Sequence, residues 1–170
     1  RAVSAETARP RGAGQGRGRA VVRTRALRCL STQACYSRLV RWVEGGLLDA
    51  LGEDGVGCIA FSPLAQGQLT NRYLNGVPAG SRATHSRFLT TDTIDENLPR
   101  IRALNAIATG RGQTLAQMAL AWVLRDSRVT SAIIGASSVE QLEDNVQVLS
   151  RPDFEPRELA QIARCLPGGQ

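Results

Sequence analysis

The sequence contains no lysine; all 21 of its basic residues are arginine. Any mechanism that requires a lysine is therefore excluded for this chain alone. It has a single histidine, His85, and only two tyrosines, Tyr36 and Tyr73. Aromatic residues make up 4% of the chain, so a core must be built mostly from aliphatic side chains. The four cysteines, Cys29, Cys35, Cys58 and Cys165, match no CxxC metal spacing and are too few for a disulfide framework at this length. They are expected to be buried or partly buried thiols. No run approaches the roughly 18–20 apolar residues of a membrane-crossing helix, so no membrane partner is expected. The N-terminus is arginine-rich but lacks a following apolar stretch, so it does not read as a secretory signal, and the cytoplasm is the expected location.

What is present is enough for one modest domain: 170 residues, 42% of them hydrophobic. The net charge of +6 suggests nucleic-acid binding at first sight. Its distribution argues otherwise. Residues 1–28 carry eight arginines against one acid, Glu6, and the remaining 142 residues sum to −1. The stretch Arg9 to Arg19 is low in complexity and reads as disordered. One reading of residues 1–28 is an arginine-glycine segment that touches RNA. The other is an unstructured extension, or residues translated from a shifted reading frame. The segment has no aromatic residue on which a base could stack, which argues against a nucleic-acid partner. Residues 29–170 form the expected folded domain.

Along that domain, apolar residues from Leu39 to Leu51 recur at helical spacing, weakened by Gly45 and Gly46. Cys58 to Phe61 reads as a buried strand stopped by Pro63. A long polar loop is expected from Ala65 to about Asp95, and loops of that length in compact domains are usually functional or mobile. Glu96 to Thr109 returns to helical spacing, with Pro99 tolerable only in a first turn. Thr114 and Gln117 form a capping box for a helix running to about Arg125. Val129 to Ile134 is a second buried strand by its β-branched apolar run. Ser138 and Gln141 form another capping box, opening a helix to about Leu149, and Pro156 to Cys165 is a last helix. Strands apolar on both faces, alternating with helices, are the grammar of a parallel α/β sheet. Active sites in such sheets lie at the C-terminal ends of strands.

Two motifs sit at those ends. The first is Ala60-Phe-Ser-Pro-Leu-Ala-Gln-Gly67. Its small residues let a backbone approach a ligand, amides at such a turn suit phosphate oxygens, and Phe61 can present a ring face to a flat heterocycle. An ordinary strand exit explains it equally well. The second is Gly135-Ala-Ser-Ser-Val-Glu-Gln-Leu-Glu-Asp-Asn145, a glycine turn running into a capped helix whose N-terminus favours an anion. Gln141, Asp144 and Asn145 share one helix face and offer donors and acceptors to a purine edge. A capped surface helix with polar residues is the plainer alternative.

These motifs, taken in order with Gln33-Ala-Cys-Tyr36 and Gln113-Thr-Leu-Ala-Gln-Met-Ala-Leu-Ala-Trp122, resemble the last strands of the aldo-keto reductases. The group they resemble most is the bacterial glyceraldehyde 3-phosphate reductase-like one, related to the β subunits of voltage-gated potassium channels. The resemblance covers about residues 29 to 165. It implies an α/β fold, the C-terminal portion of a TIM (β/α)8 barrel with about three strands and their helices. It also implies an NADP(H) cofactor and, in the intact family, an aldehyde or ketone substrate. By resemblance, Phe61 would stack on the nicotinamide and Gln33 would hold its carboxamide. Ser62, Pro63, Leu64, Ala65 and Gly67 would line the pyrophosphate, and Arg72 and Arg82 would fold over the cofactor. Gly135 and Ala136 would form the turn beside it. Ser137, Gln141, Asp144 and Asn145 would meet the phosphate and adenine of the adenosine end. Arg72 stands where the family commonly has lysine and Asp144 where it has glutamate, which keeps the charge but changes reach.

The family's catalytic set is an Asp, a Tyr, a Lys and usually a His, in which the tyrosine protonates the carbonyl oxygen during hydride transfer. No residue here matches it. Lysine is absent, Tyr36 and Tyr73 fall in the Gln33 motif and the long loop, and His85 in that loop reads as a solvated residue. No catalytic residue and no metal ligand is assigned. A whole barrel takes about 250 residues, so the matching part cannot close and should leave sheet edges open to homo- or hetero-association. The expected activity is that of an NADP(H)-dependent reductase family whose cofactor half is kept here without its catalytic half. A non-catalytic NADP(H)-binding or protein-interaction module is the alternative.

Overall fold

The computed structural model describes residues 29–78, 81, 83 and 89–165. The Arg/Gly stretch 1–28, Arg82 and His85 lie outside the described residues. Three five-residue strands form one parallel sheet: β1 (Ser31–Cys35), β2 (Gly57–Phe61) and β3 (Val129–Ile133), in that spatial order. The helices are α1 (Leu47–Asp54), α2 (Thr91–Gly110), α3 (Leu115–Leu124), α4 (Val139–Val146) and α5 (Pro156–Cys165). Parallel strands joined through helices are what the alternating apolar segments required. The expected three-stranded parallel α/β arrangement is therefore present.

One face of the sheet carries the core. Ala34, Cys58, Ala60 and Val129 point into it and meet Ile101, Leu104, Leu115, Met118, Trp122 and Ile162 from the helices. Each fully buried leucine or isoleucine there contributes roughly 1.5–3 kcal/mol. Helix α3 occupies the centre of this layer, against β3, α2 and α4, and nine of its ten residues are buried. Thr114 and Gln117 close the expected capping box at its start. A second buried network ties α2 to α5. Arg111 pairs with Glu158, donates from Nε to Gln113 Oε1 at 2.8 Å and from Nη2 to the Asp153 carbonyl at 2.9 Å. Its guanidinium also lies 4.0 Å from the Phe154 ring centroid. Such a buried pair is tolerable because its hydrogen-bonding groups find partners.

Three expectations are corrected. The apolar run from Leu39 to Leu51 does not form one helix. Ser37 Oγ accepts from the amides of Leu39 and Val40 at 3.2 and 3.1 Å, which bends the chain before any helix starts. A short 3-10 turn follows at Trp42–Glu44, and Gly46, at φ +117°, becomes the N-cap of α1. Only glycine enters that region cheaply, so the pair of glycines is a boundary and not merely a weak point. The polar stretch 65–95 is also not one loop. It holds 3-10 turns at Ala65–Gly67 and Asn71–Tyr73, and α2 begins within it, where Thr90 caps the Thr93 amide at 3.2 Å. Pro99 consequently lies inside α2, well beyond its first turn. The third correction concerns the thiols: all four are free, but Cys29 is exposed rather than covered.

Candidate cofactor-binding site

The site is set by the face of the sheet that none of the described helices covers. Strand alternation puts Gln33, Cys35, Ile59, Phe61, Ser131 and Ile133 on it. Register arranges them in two rows across the sheet, Gln33–Ile59–Ser131 and Cys35–Phe61–Ile133. A bulge makes the second row possible. Cys58 pairs with Val129 and Ile59 with Ser131, so Thr130 is an extra residue and β3 shifts to place Ile133 beside Phe61. Phe61 is 40% exposed and Ile133 47%, although both lie in the middle or edge of a parallel sheet. Gln33 and Phe61 thus share this face, one residue pair apart along the strands. Ile59, Ser131 and Ile133 were not singled out as site residues in the sequence. Their even spacing in two apolar runs was the signal, and the bulge hid it.

Because the strands are parallel, the exits of β2 and β3 lie at the same end of neighbouring strands, roughly 4.8 Å apart in the pairing direction. The β2 exit is strained. Ser62, Ala65 and Gln66 all have positive φ, at 54°, 47° and 58°, and they are the only described non-glycine residues that do. Gly67 follows at φ +95° with the Tyr73 ring in van der Waals range of any Cβ added there. Strain of this kind persists only where surrounding contacts enforce it, and it concentrates at ligand sites. The enforcing contacts are visible. The amides of Ala65 and Gly67 donate to the carbonyls of Ser62 and Leu64, both at 2.9 Å. Thr70 Oγ1 donates to the Gly67 carbonyl at 2.7 Å, and Asn97 Nδ2 of α2 donates to Gln68 Oε1 at 3.0 Å. Pro63 and Ala65 are buried, Ser62, Leu64 and Gly67 are half-buried, and Arg72 is exposed in the next turn.

At the β3 exit, Gly135, Ala136 and Ser137 are all exposed. Ser138 caps α4 by accepting from the Gln141 amide at 3.3 Å. The box is not reciprocal. Gln141 Oε1 accepts instead from the amide and the hydroxyl of Ser137, both at 3.0 Å. Asp144 faces α3: its two carboxylate oxygens accept from Gln117 Nε2 at 2.8 Å and Thr114 Oγ1 at 3.3 Å. Asn145 is buried at the same junction. The structure therefore brings Phe61 and the 62–67 turn beside the 135–138 turn. It sets Asp144 and Asn145 back against α3.

The hydroxyl of Tyr36 lies on the covered side of the sheet, where it donates to Glu44 Oε1 at 2.6 Å and accepts from Arg125. Burial, and then that donation, push the phenol above its ordinary range. Burial raises the Glu44 carboxyl, but hydrogen bonds from Arg41 and Tyr36 outweigh it and hold the carboxyl below its usual value. A cleft lined by described residues lies elsewhere, at the entry to β3 between residues 125–128 and 152–154. Arg128 there is already paired with both Asp126 and Asp49, and Arg125 with Glu44. Among the described residues no group of histidine, cysteine and carboxylate side chains could hold a metal, and no helix is long and apolar enough to cross a membrane.

Comparison with known proteins agrees with the fold of parallel strands and helices. The aldo/keto reductase family profile matches residues 17–167. L-glyceraldehyde 3-phosphate reductase of Escherichia coli is 53% identical over 144 residues, which cover 81% of this chain and 42% of that protein. A putative voltage-gated potassium channel subunit beta of Schizosaccharomyces pombe is 37% identical over 144 residues, with the same shares covered. Among solved structures, the holo form of an aldo-keto reductase from Bacillus halodurans superposes with a TM-score of 0.59 at 25% identity, over 80% of this chain and 42% of that one. The chain thus spans less than half the length of these relatives. On the profile match and the identity together, the chain belongs to the aldo/keto reductase family.

Proposed function

We propose that this chain is the cofactor-holding part of an NADP(H)-dependent carbonyl reductase, and that by itself it holds the nucleotide without reducing a substrate. The observation that carries the reading is the pair of strand exits: a strained turn after β2 beside an exposed glycine turn and capped helix after β3. Their chemistry fits a dinucleotide. Phe61 offers an exposed ring on the open face, with Gln33 on the same face as a donor and acceptor. Ser62 to Gly67 form a backbone cradle. The N-terminus of α4, next to Gly135, Ala136 and Ser137, suits a phosphate. Gln141, Asp144 and Asn145 stand further along that helix for the adenosine end, and Arg72 for its charge. When bound, the nicotinamide would supply a hydride for an aldehyde or ketone carbonyl. This chain's residues would bind and orient it, and the proton donor would have to come from elsewhere, because the chain has no lysine and both of its tyrosines are buried.

The test is a titration of the purified full chain with NADPH, following tryptophan emission and nicotinamide emission, with NADH as control. Saturable binding that prefers NADPH supports the reading. Absence of binding by folded, soluble protein overturns it. A second reading is an association module, favoured by the exposure of Phe61 and Ile133 on an uncovered sheet face. It predicts concentration-dependent sedimentation that does not respond to nucleotide.

A further inference from the structure

Helix α2 does more than cover the core. Two of its side chains reach across to the segment that leaves β2 and hold it at both ends. Asn97 is half-buried, and its Nδ2 donates to Gln68 Oε1 at 3.0 Å. Gln68 is itself buried, at 7% exposure, directly after the strained turn. Its Nε2 donates onward to the Ala65 carbonyl at 3.4 Å, and its backbone amide reaches the same oxygen at 3.2 Å. Further along α2, Arg102 donates from Nε and Nη2 to the Leu74 carbonyl at 3.3 and 3.0 Å.

The place of this relay gives it its meaning. Ala65 and Gln66 have φ of +47° and +58°, a region that L side chains occupy only under constraint. A segment free to relax would leave it. The other bonds that hold the turn are local, from the amides of Ala65 and Gly67 and the hydroxyl of Thr70. Local bonds form and break with the segment itself. The relay instead ties the Ala65 carbonyl to a helix of 20 residues. Packing alone would favour an apolar side chain at position 68, beside the fully buried Leu69, because burying an amide dehydrates it. The Gln68 amide is tolerated because both of its ends are bonded, one to α2 and one to the turn.

We propose that Asn97, acting through Gln68, is a positioning residue for the nucleotide: it fixes the Ala65 carbonyl, and with it the cradle from Ser62 to Gly67, in the bound shape before the ligand arrives. The proposal rests on the reading of that cradle as the pyrophosphate and nicotinamide end of the cofactor site. A preformed cradle lowers the ordering cost of binding. The adenosine end depends on the β3 exit and α4, which the relay does not include.

The experiment is calorimetric titration of the full chain with NADPH and, separately, with 2′,5′-ADP, which carries only the adenosine end. Asn97→Ala should weaken NADPH about three- to tenfold, the worth of one lost hydrogen bond, and leave 2′,5′-ADP within about twofold. Gln68→Leu should give the same selective loss, and the double variant should lose no more than either single one, because both cut one relay. A residue that merely supports the fold would weaken both ligands together. Equal loss for the two ligands, additive losses in the double variant, or NADPH binding unchanged in Asn97→Ala would overturn the proposal. If the unaltered chain does not bind NADPH, the cofactor reading falls and this inference with it. If the unaltered chain binds and Asn97→Ala matches it, only this inference falls. Should Asn97→Ala fail to fold, Gln68→Glu decides, since it keeps an acceptor for Asn97 and has no donor for the Ala65 carbonyl. Selective loss of NADPH affinity in that variant supports the relay, and unchanged affinity refutes it.

Discussion

Helices α3 and α4 begin with nearly the same sequence device, Thr114-x-x-Gln117 and Ser138-x-x-Gln141, and end in opposite environments. Helix α3 closes its box in both directions and is buried on almost every side. Helix α4 is capped by Ser138, its glutamine turns outward to Ser137, and Asn145 is its buried residue. Val139, Leu142 and Val146 stay exposed, and Leu149 extends the same stripe. A local cap says where a helix starts and nothing about what covers it. Coverage comes from non-local packing, here β3, α2, α4 and the 3-10 turn Gln147–Ser150 for α3, and for α4 one side of α3 and that same turn.

The comparison can be broken hardest at the covered side. Glu158→Ala would leave the Arg111 guanidinium buried beside no carboxylate, and should cost about 3–5 kcal/mol in urea unfolding. Leu115→Ala in α3 should cost about 2–5 kcal/mol by the same measurement, because its side chain is fully buried. Leu142→Ala in α4 should change stability by less than about 0.5 kcal/mol. Equal costs for those two leucines would refute the assignment of a covered and an uncovered helix.

The two caps give a finer contrast. Thr114→Ala should cost about 1–2 kcal/mol, since the hydroxyl caps α3 and also donates to Asp144. Ser138→Ala should cost about 0.5–1 kcal/mol at an exposed helix end. Acid sharpens the same contrast. Burial raises the Glu158 carboxyl, but the Glu155 amide and the charge of Arg111 outweigh it and hold the group below its ordinary value. A depressed folded pKa contributes stability that is present above the unfolded value of about 4.3 and is lost as pH falls through the folded one. The chain should therefore lose stability below about pH 4, and Glu158→Gln should flatten that part of the profile.

The smallest effect on stability, and the clearest on assembly, is expected from Val146→Glu with Leu142→Glu. Stability should move by no more than about 0.5 kcal/mol each. If the exposed stripe drives self-association, sedimentation velocity should show less dimer at equal concentration.

Much of the molecule could be read in the sequence. A short apolar run ending at Ser-Pro gave β2, a β-branched apolar run gave β3, and the two Ser/Thr-x-x-Gln boxes gave the starts of α3 and α4. In those places the signal is local: a period, a cap, a strand-stopping proline. Legibility failed where a local rule met a competing one. Leu39 to Leu51 had helical spacing, yet the Ser37 hydroxyl and the φ of Gly46 decided the backbone. Pro99 read as a helix boundary, yet the contacts of Ile94, Ile101 and Leu104 carry α2 past it.

By itself, then, the sequence determined the order of strands and helices, the two turn motifs and the absence of lysine chemistry, because each depends on neighbours in the chain. Three things were settled only by tertiary structure. Register and a bulge brought Phe61 and Ile133 into one row on an uncovered face. The α3–α4 contact claimed Asp144. The contact of α2 with the β2 exit tied Asn97 to Gln68. Each joins residues far apart in sequence, and no local propensity encodes such a meeting.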